Sequence, residues 1–327
     1  MIESHAPVSN TTEEVVAELQ RRSEFVMVSH VKPDGDTLGA GLALGIALKR
    51  LGKRVLYFQQ DAVPRNLRFL PQTEHVSREI PADLSPDALW VFGDMSDKER
   101  AGEFLPNITR ENILDIDHHL GNTHFGAFNY VIATECSTGT VVMHLLRGLG
   151  VEVDREIATC ILTTIMTDTG GFIHSNTTPE VLELSAELMR KGADKEQITE
   201  EIFANKRLAA VRLLGSALDV LCITHDGRYC YSYITDKMLA AAGADGEDTE
   251  EIVNVLRGIE NVEVSALFKA FEGEIRVSLR SNGRINVQAA AARLNGGGHF
   301  RASGLTYHGT LEAAIAAVES ALTAEGL

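Results

Sequence analysis

Basic residues are scarce in this chain. Its 327 residues include 30 Lys and Arg against 46 Asp and Glu, which gives a formal charge of −16. Duplex DNA and anionic membrane surfaces repel a body of this charge unless a local basic patch outweighs it. The composition therefore disfavours both as partners. It does not exclude a small anionic substrate held by metal ions, because that attraction is local.

Cysteine and long apolar runs are also sparse. The four cysteines, Cys136, Cys160, Cys222 and Cys230, form no C-x-x-C pair, which is typical of reduced, buried thiols rather than a disulfide framework. The sequence has no run of about 18 apolar residues, so no transmembrane helix is predicted. Residues 1–14 lack the basic and apolar segments of a secretory signal. A cytoplasmic protein that does not contact the membrane is expected.

The order of predicted elements indicates an α/β fold in two domains, as the length also suggests at about 150 residues per domain. The first half predicts a buried helix at 37–51 and apolar strands at 25–28, 54–58, 89–92 and 112–114. Strands that are apolar throughout, separated by helices, indicate a parallel sheet covered on both faces. Helical segments then lead to a smaller α/β domain. We expect the domains to span 1–206, with the connecting helices, and 207–327.

Aspartate and histidine residues form four clusters along the first domain. In chain order these are His30-x-x-x-Asp34-x-Asp36, Asp94, Asp117-His118-His119 and Asp168. The first three follow predicted strands, and open α/β sheets place their sites at the carboxyl ends of strands. Each cluster alone has a structural explanation, such as a turn and helix cap for Asp34-Gly35-Asp36. Their joint placement is what favours a functional site.

Divalent cations would explain why so many carboxylates converge. Like charges repel and raise each other's pKa values, and two cations remove that repulsion. A mixture of imidazole and carboxylate suits Mn²⁺, Fe²⁺, Co²⁺ or Zn²⁺ better than Mg²⁺. Two metal ions about 3.5–4 Å apart can clamp a phosphoryl group in line with its attacking group. The pattern therefore predicts a metal site suited to phosphoryl chemistry.

Together, these four motifs resemble those of the DHH phosphoesterase superfamily. The segment Gly296-Gly297-Gly298-His299, followed by Arg301-Ala302-Ser303-Gly304, is similar to the signature of the DHH-associated C-terminal domain. The resemblance covers nearly the whole chain. It implies a catalytic DHH domain at 1–206 and a substrate-binding domain at 207–327.

The resemblance also implies two divalent metal ions, with Mn²⁺ the expected metal. The implied ligands are His30, Asp34 and Asp94 for one ion, and Asp36, Asp94, His118 and Asp168 for the other. His119 would contact the scissile phosphate and stabilise developing charge or protonate the leaving oxygen. Asp117 would orient the histidines.

Substrate recognition is implied for the second domain. The expected substrate-binding residues are Arg280, Gly296, Gly297, Gly298, His299 and Arg301. Consecutive glycines let the backbone approach a phosphate and can form an anion-binding nest, while arginines supply bidentate bonds. A flexible turn for the glycine run and a solvated strand end for Arg280 are the structural alternatives.

The length and the GGGH segment match the short stand-alone superfamily members of the nanoRNase type. These combine oligoribonuclease activity on very short RNA with phosphatase activity on 3′-phosphoadenosine 5′-phosphate. A phosphodiesterase for cyclic di-AMP or linear dinucleotides is an alternative within the same class, and a non-catalytic nucleotide-binding sensor is one from another class. Short oligonucleotides, 3′-phosphoadenosine 5′-phosphate or dinucleotides are the expected substrates, without duplex nucleic acid. The sequence leaves monomer and homodimer open.

Overall fold

The computed structural model describes residues 9–103, 105–106, 108–271 and 273–327, apart from the side chain of His299. The chain divides into two compact units, Met1–Asn205 and Lys206–Leu327. Among the described residues, every helix is too short or too polar to cross a bilayer.

The first unit is built on a six-stranded parallel sheet. Its elements are, in chain order, α1 (Thr12–Arg21), β1 (Glu24–Val28), α2 (Gly35–Arg50), β2 (Arg54–Phe58), β3 (Val76–Ser77), β4 (Leu89–Gly93), β5 (Ile113–Asp117), β6 (Phe128–Val131), α3 (Thr138–Gly148), α4 (Arg155–Asp168), α5 (Pro179–Arg190) and α6 (Lys195–Thr199). The strand order is β3-β2-β1-β4-β5-β6, and all neighbouring strands are parallel. The predicted α/β class and parallel sheet are confirmed.

The two faces of this sheet are covered differently. Phe25 and Met27 of β1 belong to an apolar core that also contains side chains from α1, α2, α3 and α4. On the opposite face, Val26 packs in a second core with Ala101 and Ile108, which lie in the connection between β4 and β5. That connection contains short 3₁₀ turns. Helices therefore cover one face, and connecting segments contribute to the cover of the other.

Helix α2 lies very close to α4 because glycines face the contact. A Cβ atom on Gly39 would lie 2.8 Å from the carbonyl oxygen of Cys160 and 2.7 Å from Cγ2 of Thr164. A Cβ atom on Gly35 would lie 2.4 Å from Cγ2 of Thr167. Distances this short exclude a larger residue unless the helices separate. The contact brings the N-terminus of α2 to the C-terminus of α4.

Helix α2 begins at Gly35, two residues before the predicted start at Thr37. Asp34 is its N-cap, and its Oδ1 accepts hydrogen bonds from the main-chain N–H groups of Asp36 at 3.0 Å and Thr37 at 3.1 Å. Asp34 and Asp36 thus lie at the start of a helix. The cap uses only one oxygen of Asp34.

The second unit contains a six-stranded mixed sheet. Its elements are α7 (Leu208–Asp219), β7 (Cys222–Thr224), β8 (Tyr229–Thr235), α8 (Asp236–Ala242), α9 (Ile252–Arg257), β9 (Val264–Phe271), β10 (Glu274–Ser281), α10 (Val287–Ala292), β11 (Gly297–His299), β12 (Ala302–Tyr307) and α11 (Leu311–Thr323). The order is β11-β12-β10-β9-β8-β7, with β8 and β9 parallel and the other neighbours antiparallel. One core includes α10 and α11, and the other includes α7, α8 and α9.

Candidate metal centre

The predicted site residues of the first unit converge at the carboxyl ends of three strands. His30 follows β1, Asp94 follows β4, and Asp117 is the last residue of β5. Strands β1 and β4 are neighbours in the sheet although they are not consecutive in the chain. The strand order reverses at such a point, and open α/β sheets bind ligands there.

The donor atoms form overlapping groups in which all ligand atoms lie within 4.8 Å of one another. The groups are His30, Asp34 and Asp94; Asp36, His118 and Asp168; and Asp94, His118 and His119. Asp94 and His118 each belong to two groups, so the donors make one continuous cluster. The structure thus brings together all six side chains expected as metal ligands, with His119 beside them.

The His30 imidazole is oriented toward two carboxylates. Its Nδ1 lies 2.9 Å from the carbonyl oxygen of Val31, which accepts a hydrogen bond from the ring N–H. Its Nε2 lies 3.6 Å from Oδ2 of Asp34 and 3.4 Å from Oδ2 of Asp94. This buried nitrogen has no hydrogen-bond partner among the described residues. A buried, unpaired nitrogen beside two carboxylate oxygens fits a bound divalent cation.

The His118 imidazole is held in a similar way in the second group. Its Nδ1 lies 3.3 Å from the carbonyl oxygen of Glu135. Its Nε2 lies 3.1 Å from Oδ2 of Asp168 and 3.7 Å from Oδ2 of Asp36. Because the Nδ1–H group donates a hydrogen bond to this carbonyl oxygen, Nε2 is the nitrogen available to a metal ion.

Asp94 faces both groups with different oxygens. Its Oδ2 is the atom near His30, whereas its Oδ1 lies 3.6 Å from Nε2 of His118. The residue adopts a φ of +64°, which is uncommon outside glycine. Its main chain is fixed by its N–H bond to Ile116 at 3.0 Å and by a bond from Arg100 to its carbonyl oxygen at 3.3 Å. One carboxylate oxygen of Asp94 therefore faces each of the two histidines.

The buried carboxylates of the cluster repel one another, and added positive charge would reduce this repulsion. Burial raises the pKa of Asp36 well above its usual range, and the carboxylates of Asp168 and Asp94 raise it further. Burial also raises the pKa of Asp168, to about 6. Burial by itself lowers the pKa of His30 and His118, but the facing carboxylates outweigh it and raise both to about 10. Cations would supply the charge that these protons otherwise provide.

The N-terminus of α3 holds Asp36, a contact that sequence reasoning missed. The N–H groups of Thr138 and Gly139 donate to the two carboxylate oxygens of Asp36 at 2.7 and 3.0 Å. The Thr138 hydroxyl also donates to Oδ1 of Asp94 at 3.1 Å. Ser137 caps this helix, and a Ser-Thr-Gly helix start is the signal that could have indicated an anion-binding N-terminus.

Asp117 and His119 form a hydrogen-bonded pair at the edge of the cluster. Nδ1 of His119 lies 2.6 Å from Oδ1 of Asp117. Asp117 is fully buried. Burial alone raises its pKa, but hydrogen bonds from His119 and Asn122 outweigh burial and lower it. Asp117 is therefore an ionised acceptor that holds the proton of His119 on Nδ1.

The substrate-binding residues expected from the sequence belong to the second unit. Gly297 and Gly298 lie in edge strand β11, paired with Gly304 and Ser303 of β12. A Cβ atom on Gly296 would lie 2.4 Å from the Gly304 carbonyl oxygen, so close packing alone requires that glycine. The backbone of His299 ends the strand, and its side chain lies outside the described residues.

The two expected arginines lie near this strand in sequence or in the sheet. Arg280 is on β10, opposite Ala302 of β12, and burial lowers its pKa. Arg301 directly precedes β12, and its guanidinium packs over the main chain of Gly283, where a Cβ atom would lie 2.9 Å from Nη2. Both belong to the second unit, whereas the donor cluster belongs to the first.

Two family models match the chain. The DHH family N-terminal domain matches residues 24–165, and the DHHA1 domain matches residues 226–324. The bifunctional oligoribonuclease and PAP phosphatase NrnA of Thermus thermophilus is 36% identical over 320 residues, which cover 95% of each chain. The protein of the same name from Bacillus subtilis is 25% identical over 92% of this chain and 94% of its own.

Solved structures agree with this relationship. An exopolyphosphatase-related protein from Bacteroides fragilis superimposes with a TM-score of 0.88 at 28% identity, covering 96% of both chains. RecJ from Thermus thermophilus, in complex with Mn²⁺, shares the fold with a TM-score of 0.54 at 15% identity, over 96% of this chain and 53% of RecJ. Because 36% identity extends over 95% of both chains, this chain belongs to the DHH phosphoesterase family and carries a DHHA1 domain.

Proposed function

We propose that this chain degrades very short RNA to mononucleotides and removes a phosphate from 3′-phosphoadenosine 5′-phosphate. The observation that carries this proposal is full-length similarity. Relatives named for these two activities share 36% and 25% identity over 95% and 92% of this chain. Family membership sets the reaction class, which is hydrolysis of a phosphoester bond.

The proposal assigns two divalent cations, Mn²⁺ in each case, to the donor cluster of the first unit. The ligands would be His30, Asp34 and Asp94 for one ion and Asp36, Asp94, His118 and Asp168 for the other. When bound, the cations neutralise the carboxylates and stabilise negative charge on the phosphoryl group. The combination of imidazole and carboxylate donors favours Mn²⁺ over Mg²⁺.

His119 is the proposed catalytic residue. Its Nδ1 donates to Asp117 at 2.6 Å, which makes Nε2 the nitrogen that contacts the scissile phosphoryl group. From Nε2, a protonated imidazole can donate to a phosphoryl oxygen or pass its proton to the leaving oxygen. Asp117 stabilises the protonated ring and keeps it in one orientation.

In this proposal, the second unit holds the end of the substrate. Arg280 and Arg301 would bond to a terminal phosphate, and strand Gly297–His299, with Gly296 directly before it, would bring its backbone close to that phosphate. The chain as a whole carries a formal charge of −16. That charge supports short oligonucleotides and mononucleotides as substrates over duplex nucleic acid, because long phosphate backbones are repelled.

A substrate panel tests the proposal. Purified protein with Mn²⁺ is incubated with RNA of two to five nucleotides, 3′-phosphoadenosine 5′-phosphate, cyclic di-AMP and duplex RNA, and products are resolved by ion-exchange chromatography. We expect mononucleotides from the short RNA and phosphate from 3′-phosphoadenosine 5′-phosphate, with duplex RNA left intact. No turnover of the first two substrates would refute the proposal. Preferential cleavage of cyclic di-AMP would assign the chain to signalling-dinucleotide turnover instead.

A further inference from the structure

Asn122 is a buried amide that follows the Asp117-His118-His119 segment, and only 9% of it is exposed. Every polar atom of its side chain is bonded. Nδ2 donates to Oδ2 of Asp117 at 2.7 Å and to the carbonyl oxygen of Met95 at 3.0 Å. Oδ1 accepts from the main-chain N–H of His124 at 2.6 Å. An amide with all these partners has one orientation.

Both oxygens of the Asp117 carboxylate consequently accept hydrogen bonds. Oδ1 accepts from Nδ1 of His119 at 2.6 Å and from the main-chain N–H of His118 at 2.8 Å. Oδ2 accepts from Asn122. Without the hydrogen bond from the Asn122 side chain, the carboxylate could rotate about its χ2 torsion, which is broad for Asp. The plane of the His119 ring follows the orientation of the carboxylate that accepts its hydrogen bond.

Asn122 also connects two segments of the site. Met95, whose carbonyl oxygen accepts the second amide hydrogen, is the residue after Asp94. The same amide therefore ties the segment that carries Asp94 to the segment that carries His119. Nδ1 of His119 lies 3.5 Å from Oδ1 of Asp94, so the spacing of these segments decides where the imidazole sits.

We propose that Asn122 is a positioning residue for His119, an inference that rests on the proposed function. By fixing the Asp117 carboxylate, Asn122 keeps the proton of His119 on Nδ1 and directs Nε2 to the phosphoryl group. Asn122 itself acts through Asp117 and has no direct role toward substrate.

Paired substitutions separate positioning from general support of the fold. Asn122→Asp keeps the shape but replaces both donors with an oxygen that repels Asp117, and Asn122→Ala removes the bonds without adding charge. We expect each to lower kcat about 10- to 100-fold, which is the usual effect of losing a hydrogen bond that orients a side chain of the site. KM and Mn²⁺ affinity should be nearly unchanged. In a His119→Ala background, the same changes should lower kcat by less than about threefold. Equal losses in both backgrounds would overturn the inference.

Asn129 supplies the matched control, because it is a similarly buried amide in the same unit. It is 6% exposed, and its side chain bonds to the main chain of Gly126 through both its oxygen and its nitrogen. Asn129→Asp places a carboxylate in a comparable environment without touching Asp117. We expect kcat to remain near that of the unchanged chain. A loss matching that of Asn122→Asp would show that any buried charge in this region disrupts the site.

A spectroscopic measurement keeps this inference separate from the proposed function. Full-length protein with ¹⁵N-labelled histidine is held in Mg²⁺, which is diamagnetic, and the His119 signals are identified by their loss in His119→Ala. We expect a slowly exchanging proton on Nδ1 of His119, and at least tenfold faster exchange in Asn122→Ala. An unprotected Nδ1 proton in the unchanged chain, or equal exchange in the variant, would overturn the inference. Inactivity toward every substrate with the expected signals would refute only the proposed function.

Discussion

The hydroxyl of Thr138 donates to Oδ1 of Asp94 at 3.1 Å, although the two residues are 44 positions apart. The main-chain N–H of Thr138 also donates to Oδ2 of Asp36 at 2.7 Å. One residue at the N-terminus of α3 therefore bonds to two carboxylates, one from α2 and one from the residue that follows β4. In our proposal both carboxylates are metal ligands. Substitution of Thr138 therefore tests whether its hydrogen bonds orient these carboxylates for metal binding.

Thr138→Val should weaken Mn²⁺ binding about 10- to 100-fold. Valine keeps the shape and the main-chain N–H but removes the bond to Asp94. Isothermal titration with Mn²⁺ measures the effect. Thr163→Val is the control, because that hydroxyl is equally buried and, among the residues that the structure describes, bonds only to the Thr159 carbonyl oxygen within α4. Equal Mn²⁺ affinities in the two variants would contradict the role of Thr138.

Asp94→Asn should be the most damaging single change. We expect kcat/KM to fall by more than about 100-fold, which exceeds the usual loss when a residue that only orients a metal ligand is changed. Asn tolerates the positive φ of Asp94, so the backbone is preserved. The carboxylate that the proposal assigns to both ions, however, loses its charge. Asp97→Asn is the control, because Asp97 lies nearby and caps a short turn through the N–H of Arg100. Near-normal turnover by Asp94→Asn would contradict the assignment of a shared ligand.

Mn²⁺ should raise the thermal midpoint of unfolding, and a chelator should reverse the rise and abolish hydrolysis. Cations that bind only the folded chain stabilise it by about 2.7 kcal/mol at 100 times their Kd. Differential scanning calorimetry measures the shift. The Asp94→Asn variant should show a much smaller shift. A shift of equal size in that variant would place Mn²⁺ binding elsewhere on the chain.

Gly39→Ala should lower the free energy of unfolding by about 1–3 kcal/mol, the range for overpacking a tight contact. The added methyl would press on Cys160 and Thr164 of α4. The control is Gly41→Ala in the same helix, where the nearest atom is Cβ of Met27 at 3.8 Å. There, the higher helix propensity of alanine should stabilise the protein by up to about 1 kcal/mol. Urea unfolding that ranks the variants in the reverse order would contradict the packing of α2 on α4.

Asp115→Asn should become more stabilising as pH rises. Burial raises the pKa of Asp115 from 3.8 to about 8, with a further contribution from Asp117, and neither carboxylate oxygen has a hydrogen-bond partner among the described residues. Between about pH 4 and pH 8, the folded chain retains a proton that the unfolded chain releases. This one group therefore lowers stability by at most about 1.4 kcal/mol per pH unit as pH rises.

The measurement is the difference in free energy of unfolding between Asp115→Asn and the unchanged chain. That difference should grow from about pH 4 to about pH 8 and level off above that. The comparison is Asp83→Asn, because a hydrogen bond with Arg54 lowers the pKa of Asp83, so its contribution changes only at lower pH. A constant difference for Asp115→Asn across this range would mean that Asp115 is ionised in the folded state.

Local patterns in the sequence were sufficient to predict much of the fold. The buried strands β1, β2 and β4 were placed to within one residue, because runs of apolar residues between polar turns carry a strong local signal. Strand β6, edge strand β11 and its neighbour β12 were not predicted. A glycine-rich strand such as Gly297–His299 has almost no side-chain pattern, and pairing with β12 is what makes it a strand.

The sequence alone determined which donor groups this protein possesses and that they follow buried strands, because motif spacing and apolar runs are local properties of the chain. Only the tertiary structure decided how those donors face one another. The close packing of α2 on α4 brings Asp36 near Asp168, and the N-terminus of α3 reaches Asp36 across 102 positions. The physical reason is that these contacts join distant segments. Their geometry depends on helix packing and on the orientation of single hydrogen bonds, which no local pattern encodes.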